Sequence, residues 1–300
     1  MDALDSLNRK IESAHELKSV VRTMKAMAAS NIGQYEMAVS SLGDYYHTVR
    51  LAIIAYLKQK KTAAINENRA VKRKDEKLIC AIVFGSDQGL VGQFNDVLTD
   101  FVTQSLHALP GKKEIWGVGE RVQLLLSDAG FNVTKHFDLP SSVNAITPLV
   151  RQILMESLKD YKEDNRRDFY VFHNQPKAQT GYEPVLQLLL PLDEKWKQGL
   201  AKLPWPTKKP PQLIGATQPT LLAFIREYLF VSLFKACAES LASENTSRLE
   251  AMQRAEKNIG ELLDGLSRKY HQLRQSSIDE ELFDVVAGFE ALKNDSQNKV

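Results

Sequence analysis

From Pro219 onward the sequence carries no further proline, and an apolar seam with charges on the other faces runs from there to about Leu292. One helix over that stretch, about 75 residues, would be about 110 Å long at ~1.5 Å per residue, several times the usual globular helix. No small domain encloses such a rod, so it must be a shaft. All eleven prolines fall between Pro110 and Pro219, which divides the chain into two helical ends and a turn-rich middle.

The front end carries a matching stripe. Leu4, Leu7, Ile11, Ala14, Leu17, Val21, Met24, Ala28, Ile32 and Tyr35 are spaced mostly by alternating threes and fours, and the pattern continues more weakly through Leu42, Tyr46, Val49, Ile53 and Leu57. The spacing predicts one helix over 3 to about 60, with Gly33 and Gly43 as points where it could break. Along the last stretch, Leu249, Met252, Ala255, Ile259, Leu263, Leu266, Tyr270 and Leu273 keep the same spacing, and a second register starts at Ile278 and continues through Leu282, Val285, Phe289 and Leu292. Two long helices with matching stripes, closed by a domain between them, most simply pack as an antiparallel coiled coil.

In the middle the period changes. Leu78 to Phe84 is a short, nearly continuous apolar run ending at Gly85, the pattern of a strand buried on both faces. Helices are expected at 95–108, 121–128 and 143–161, and strands at 114–118, 131–137, 168–173 and 185–190. That alternation implies a small Rossmann-like α/β domain with a largely parallel sheet. The stretch Trp196 to Pro211 reads as irregular, and Thr217 before Pro219 as an N-cap with an early-turn proline. The expected organisation is a coiled-coil helix over 1–60, a linker at 61–76, the α/β domain at 77–195, a linker at 196–216, the second coiled-coil helix over 217–293 and a tail at 294–300.

Composition excludes more than it assigns. Lys and Arg number 39 against 37 Asp and Glu, so no bulk charge points to nucleic acid or anionic lipid. Two cysteines, Cys80 and Cys237, do not make a disulfide framework or a thiolate metal cluster. The charged amino terminus lacks the apolar core of a signal peptide. The most apolar region, Leu221 to Leu241, is interrupted by Arg226, Glu227, Lys235 and Glu239, too often for a membrane span. None of the six histidines has a partner at metal-ligand spacing, and no serine sits in a nucleophile elbow.

Two features could carry function. Gly85-Ser86-Asp87-Gln88-Gly89-Leu90-Val91-Gly92 lies between a strand and a helix, where a glycine-rich turn can cradle phosphate. It lacks the Lys-Ser/Thr of a P-loop and the order of a dinucleotide fingerprint, so a tight turn or protein-contact loop competes with nucleotide binding. The helical ends carry Lys18, Arg22 and Lys25, then Arg248, Arg254, Lys257, Arg268, Lys269 and Arg274. These make either a solvated face or a basic collar for acidic neighbours.

Taken together, the two ends and the loop resemble the gamma-subunit family of F-type ATP synthases. Lys18 to Ser30, with Ile11 before it, is similar to the family's K-I-T-x-A-M-x-M-V-A-A-S-K stretch, and Gly85 to Asn95 to its S-D-R-G-L-C-G-x-x-N loop. Ser240 to Asn245 with Arg248, Ala251 and Met252, then Tyr270, Arg274, Gln275 and Ile278 to Leu282, follow the family order. Gln88 stands where the family usually has Arg, Val91 where it has Cys and Asp279 where it has Thr, departures that point to a divergent bacterial branch.

The resemblance implies a central rotor that performs no chemistry, needs no cofactor and holds no metal. It would stand inside a ring of alpha and beta subunits, with its foot beside the epsilon subunit on the ring of c subunits, peripheral to the cytoplasmic face of a bacterial inner membrane. By the same resemblance, beta-subunit contacts fall at Arg22, Met24 and Lys25, at Arg274, Gln275, Asp279 and Glu281, and at Asp87, Gln88 and Asn95. The rivals are a Rossmann-type nucleotide-binding enzyme with helical arms and a purely structural coiled-coil tether.

Overall fold

The alternation of strands and helices in the middle of the chain appears in the computed structural model of the protein, which describes residues 2–60, 78–163, 167–177, 181–192, 196, 199–200, 204–207, 209 and 217–297. The expected linker at 61–76, most of the second linker, the end of the tail, and the side chains of Thr217, Phe289 and Leu292 lie outside the described residues. The elements in order are α1 (Asp2–Lys60), β1 (Leu78–Phe84), α2 (Phe94–Ala108), β2 (Lys112–Val118), α3 (Glu120–Asp128), β3 (Val133–Phe137), α4 (Val143–Glu163), β4 (Arg167–Pro176), β5 (Tyr182–Leu190) and α5 (Thr217–Gln297). By Cα proximity the chain divides into two units, 28–249 and 1–27 with 250–300.

The larger unit is built on a five-stranded sheet of order β3-β2-β1-β4-β5. The first four strands run parallel, and β5 pairs antiparallel with β4. The sheet is thus largely parallel, as the sequence suggested, with one antiparallel edge strand. Only a short connection separates β4 from β5, too short for the crossover that a parallel neighbour requires.

Strand β1 is central, and its residues alternate between two apolar layers. Ile79, Ala81 and Val83 pack with Leu98, Val102 and Leu106 of α2 and with Val122 and Leu126 of α3. Cys80, Ile82 and Phe84 face Trp116, Ile146, Val150, Ile153 and Phe169, together with Ile53 of α1 and Leu229, Leu233, Cys237 and Leu241 of α5. A strand covered on both faces has no polar side to show, which explains the unbroken apolar run. Burial raises the Cys80 thiol pKa well above its usual value and raises that of Cys237 as well, so both are held as inert thiols.

The same layering explains the apolar stretch of α5. Leu229, Val231, Leu233, Ala236, Cys237, Ala238, Leu241 and Ala242 are all buried, because here the helix is enclosed by the sheet on one side and α1 on the other. Within this unit the two helices run antiparallel. Tyr45 Oη donates to Glu227 at 2.8 Å, Tyr46 stacks on Tyr228 with centroids 5.7 Å apart, and Asn31 Nδ2 donates to Asn245 at 3.4 Å. Gly33 does not interrupt α1, and neither does Gly43. The stretch expected to be irregular from Trp196 contains helical residues at Trp196, Gly199 and Leu200. Leu200 and Trp196 join the core, Trp196 edge-on to Tyr228 at 5.1 Å.

In the smaller unit the first part of α1 lies antiparallel to the last part of α5. Leu7 and Ala14 are buried, as are Met252 and Leu263. Leu17, assigned to the stripe by spacing, is instead 58% exposed. The seam there is narrow: neighbouring Lys18 places its Nζ beside Gly260, and Leu17 lines an open groove with Ala14, Leu262 and Leu266. The second register of α5 finds no cover among the described residues. Ile278, Leu282, Phe283, Val285 and Val286 are all exposed, Phe283 and Val285 at 71%.

Candidate partner-contact surface

The loop between β1 and α2 is closed by its own chain. Gly85 N donates to Val118 O, and Arg121 N donates to Ser86 O. Asn95 at the start of α2 is buried: its Oδ1 accepts from Ser86 N at 3.0 Å and its Nδ2 donates to Ser86 Oγ at 2.8 Å. Its amide is therefore spent on shaping the loop and is not presented outward. Asp87 Oδ1 accepts from Glu120 N at 3.1 Å, so a carboxylate of this chain occupies the N-terminus of α3, where an anion would otherwise bind. A Cβ on Gly85 would meet Val122 at 2.3 Å, so the start of the turn is packed closely against α3.

What the loop presents is its tip. Asp87, Gln88, Gly89 and Leu90 are exposed. Leu90 holds a φ of 61°, left-handed for a non-glycine residue, with its side chain 63% exposed. An apolar side chain held out in a disfavoured backbone region fits a contact loop better than a solvent turn.

Helix α5 fixes the loop from below through serines that the sequence did not single out by role. Ser240 Oγ donates to Phe84 O at 3.0 Å, Ser243 Oγ to Asn174 O at 3.0 Å and Ser247 Oγ to Val91 O at 2.5 Å. Positions i, i+3 and i+7 share one helix face, and here that face meets the carboxyl ends of β1 and β4. The visible signal was a serine triplet at helical spacing where the apolar stretch of α5 gives way to polar residues. Replacing all three with alanine is expected to lower stability by about 3 kcal/mol, at about 1 kcal/mol per hydrogen bond, as read by urea denaturation. A loss below about 1 kcal/mol would show the row to be idle.

In the smaller unit, Arg22 Nε and Lys25 Nζ each lie 2.7 Å from a different oxygen of Glu256. The bonds from Lys25 and Arg22 hold the Glu256 carboxyl pKa down at about 2. Two of the cations offered as a collar are thus joined across the helix pair, though the Arg22 side chain remains 62% exposed. Met24 between them is half-buried. Arg248 is not a free collar residue either; its Nη2 lies 2.7 Å from Glu244 Oε1 and its side chain is 19% exposed.

Arg274, Gln275, Asp279 and Glu281 are exposed on α5, and among the described residues none makes a hydrogen bond or ion pair. Gln275 and Asp279 line a shallow groove with Lys269, Gln272, Leu273 and Ser276. The described residues contain no group of three side chains able to hold a metal ion. No described helix is long and apolar enough to cross a membrane.

Comparison with known proteins places the chain as a whole in a family. The chain is 28% identical over 291 residues to the ATP synthase gamma chain of Janthinobacterium sp., covering 94% of this chain and 97% of that one. It is 27% identical over 300 residues to the ATP synthase gamma chain of Methylibium petroleiphilum, covering 97% and 100%. Its fold resembles the rotor of the Euglena gracilis mitochondrial ATP synthase with a TM-score of 0.62 at 15% identity, over 92% of this chain and 99% of that one. It also resembles the central stalk and c-ring structure of the Tetrahymena thermophila mitochondrial ATP synthase, with a TM-score of 0.55 at 19% identity, over 79% and 99%. A family model described as ATP synthase matches residues 3–292, and on that match the chain belongs to the ATP synthase family.

Proposed function

We propose that this chain is the gamma subunit of an F-type ATP synthase, the central rotating stalk that couples turning of the c-ring to ATP synthesis or hydrolysis in a ring of alpha and beta subunits. The observation that carries the proposal is the family match over residues 3–292 of a chain whose first and last helices span 59 and 81 residues. Such a chain is built to transmit force, because interlocked apolar stripes resist twisting. It has no catalytic role of its own. The glycine-rich loop is tied into this chain, with Asp87 capping α3 and Gly85 packed on Val122, which favours a contact loop over the nucleotide-binding enzyme.

The contacts with beta are placed at Arg22, Met24 and Lys25, at the exposed tip Asp87 and Gln88, and at Arg274, Gln275, Asp279 and Glu281. Asn95 serves the same contact indirectly, by holding Ser86. The epsilon subunit and the c-ring complete the partners, at the cytoplasmic face of a bacterial inner membrane. Co-expression with alpha and beta subunits of the same source tests the proposal. A gamma subunit yields an ATPase-active complex containing one copy of this chain, and the purified chain alone neither binds nor hydrolyses ATP. A tether would leave the complex without it, and an enzyme would turn over nucleotide alone.

A further inference from the structure

Where the end of β4 meets α5, a carboxylate is buried against a histidine. His173 Nε2 lies 2.9 Å from Glu239 Oε2, with the two side chains 4% and 9% exposed. Glu239 Oε1 is reached by Gln175 Nε2 at 3.4 Å and by Lys235 Nζ, one turn earlier on α5, at 3.6 Å. His173 Nδ1 is buried with no hydrogen-bond partner among the described residues, so the bond to Glu239 is what orients the ring.

The rest of this face of α5 repeats along the helix. Leu229, Leu233, Cys237 and Leu241 are buried at steps of four, and Ser240, Ser243 and Ser247 stand against carbonyl groups at steps of three and four. A slide of one turn, about 5 Å, carries apolar residues into apolar places and one serine into the place of another. Neither row by itself chooses a register. Glu239 does not repeat. Four residues earlier stands Lys235, a cation that a slide would bury beside the ring while carrying Glu239 onto the carbonyl of Asn174. Four residues later stands Ser243, whose short side chain does not span the gap that a glutamate fills.

We infer that Glu239, through His173, is the positioning residue that fixes the axial register of α5 on the sheet. Either slide parts a buried, matched pair, and that loss is what gives such pairs their hold on register. The bearing on coupling rests on the proposed rotor function, in which force passes between this domain and this helix.

Nitroxide labels on Asp96→Cys and Leu222→Cys, read by pulsed electron paramagnetic resonance on the full-length chain, test the assignment. Both positions are exposed, and the native Cys80 and Cys237 are buried. Asp96 lies just beyond Phe94, whose carbonyl accepts from Asn174 Nδ2 near Ser243, and Leu222 stands about 30 Å from Ser243 along the helix axis. The labelled chain should give one distance. His173→Leu/Glu239→Leu, which replaces the pair with apolar volume, should stay folded and split the distance into two populations about 5 Å apart. Glu239→Gln, whose amide oxygen still accepts from the ring, should keep the single distance. Lys235→Glu/Glu239→Ala, which moves the carboxylate four residues earlier, should shorten the distance by about 6 Å as α5 slides to restore the pair.

A folded leucine pair with one unshifted distance overturns the proposal, and so does a split distance in Glu239→Gln. Should the leucine pair lose its helical circular dichroism, the relocated carboxylate decides alone, and an unchanged distance there overturns it. The labels are read on this chain by itself, so failure here leaves the assembly of the alpha and beta complex untouched, and failure of that assembly leaves the register assignment standing.

Discussion

Gly119→Ala is expected to destabilise the larger unit by about 3 to 5 kcal/mol. Gly119 sits between β2 and α3 at φ +98°, and a Cβ there would lie 2.8 Å from both the carbonyl carbon and the oxygen of Ser86. Two costs combine. The backbone region is disfavoured for any side chain, at about 1 to 3 kcal/mol, and the clash is with main chain, which no rotamer change relieves, at a further ~1 to 3 kcal/mol. Ser86 cannot retreat, since Asn95 holds its N–H and its hydroxyl.

Two companion substitutions separate the costs. Gly130→Ala has φ +85° with nothing within 4 Å, so it reports the backbone cost alone. Gly89→Ala, in open space within the loop, should change stability by less than about 0.5 kcal/mol. Urea denaturation of the three variants reads the difference directly. If Gly119→Ala were no worse than Gly130→Ala, the close approach of the two turns would be wrong.

Met24→Lys is expected to abolish most ATP-driven ion pumping while sparing assembly. Met24 is half-buried on α1 between Arg22 and Lys25, whose charges are already matched against the single carboxylate of Glu256. A third cation has no partner in that cluster. It must reach outward, to the acidic surface that the proposed function places against this part of the helix. A new ion pair formed at some angles of rotation and broken at others adds a cost to each step; even ~3 kcal/mol would slow turnover about 100-fold. The measurement is the ratio of ion pumping to ATP hydrolysis in membranes carrying the reassembled enzyme, with subunit content checked by gel. Normal pumping in Met24→Lys would remove Met24 from the moving contact. Equal loss of assembly and pumping would show a fault in the helix pair itself.

The parts of the molecule legible from residues alone were those governed by one period and one burial rule. The stripe from Leu7 through Ala14, Ala28, Tyr35, Val49 and Ile53 is buried at each of these positions, because a residue on the seam of a helix pair faces apolar surface whatever its neighbour is. The Leu78 to Phe84 run could only be a strand covered on both sides. Leu17 broke the pattern, since spacing names a face of one helix and says nothing of how closely the second approaches. Asn95 was seen as part of a motif, but whether its amide turns outward or back to Ser86 depends on where the strand ends. Ser240, Ser243, Ser247 and Glu244 were visible as a polar break in an apolar helix, with no means of telling a solvent face from a face against carbonyl groups.

The sequence by itself determined two long helices, an α/β sheet between them and family membership, because helical period, proline placement and motif order are all local or linear properties. Tertiary structure alone decided that β5 turns back antiparallel to β4, that Arg22 and Lys25 are bound to Glu256, and that the glycine-rich loop caps α3 through Asp87 and is held by serines about 150 residues away. Each of these depends on which distant groups share a desolvated space. A buried polar atom takes whichever partner packing brings within about 3 Å, and no period in the chain encodes that choice.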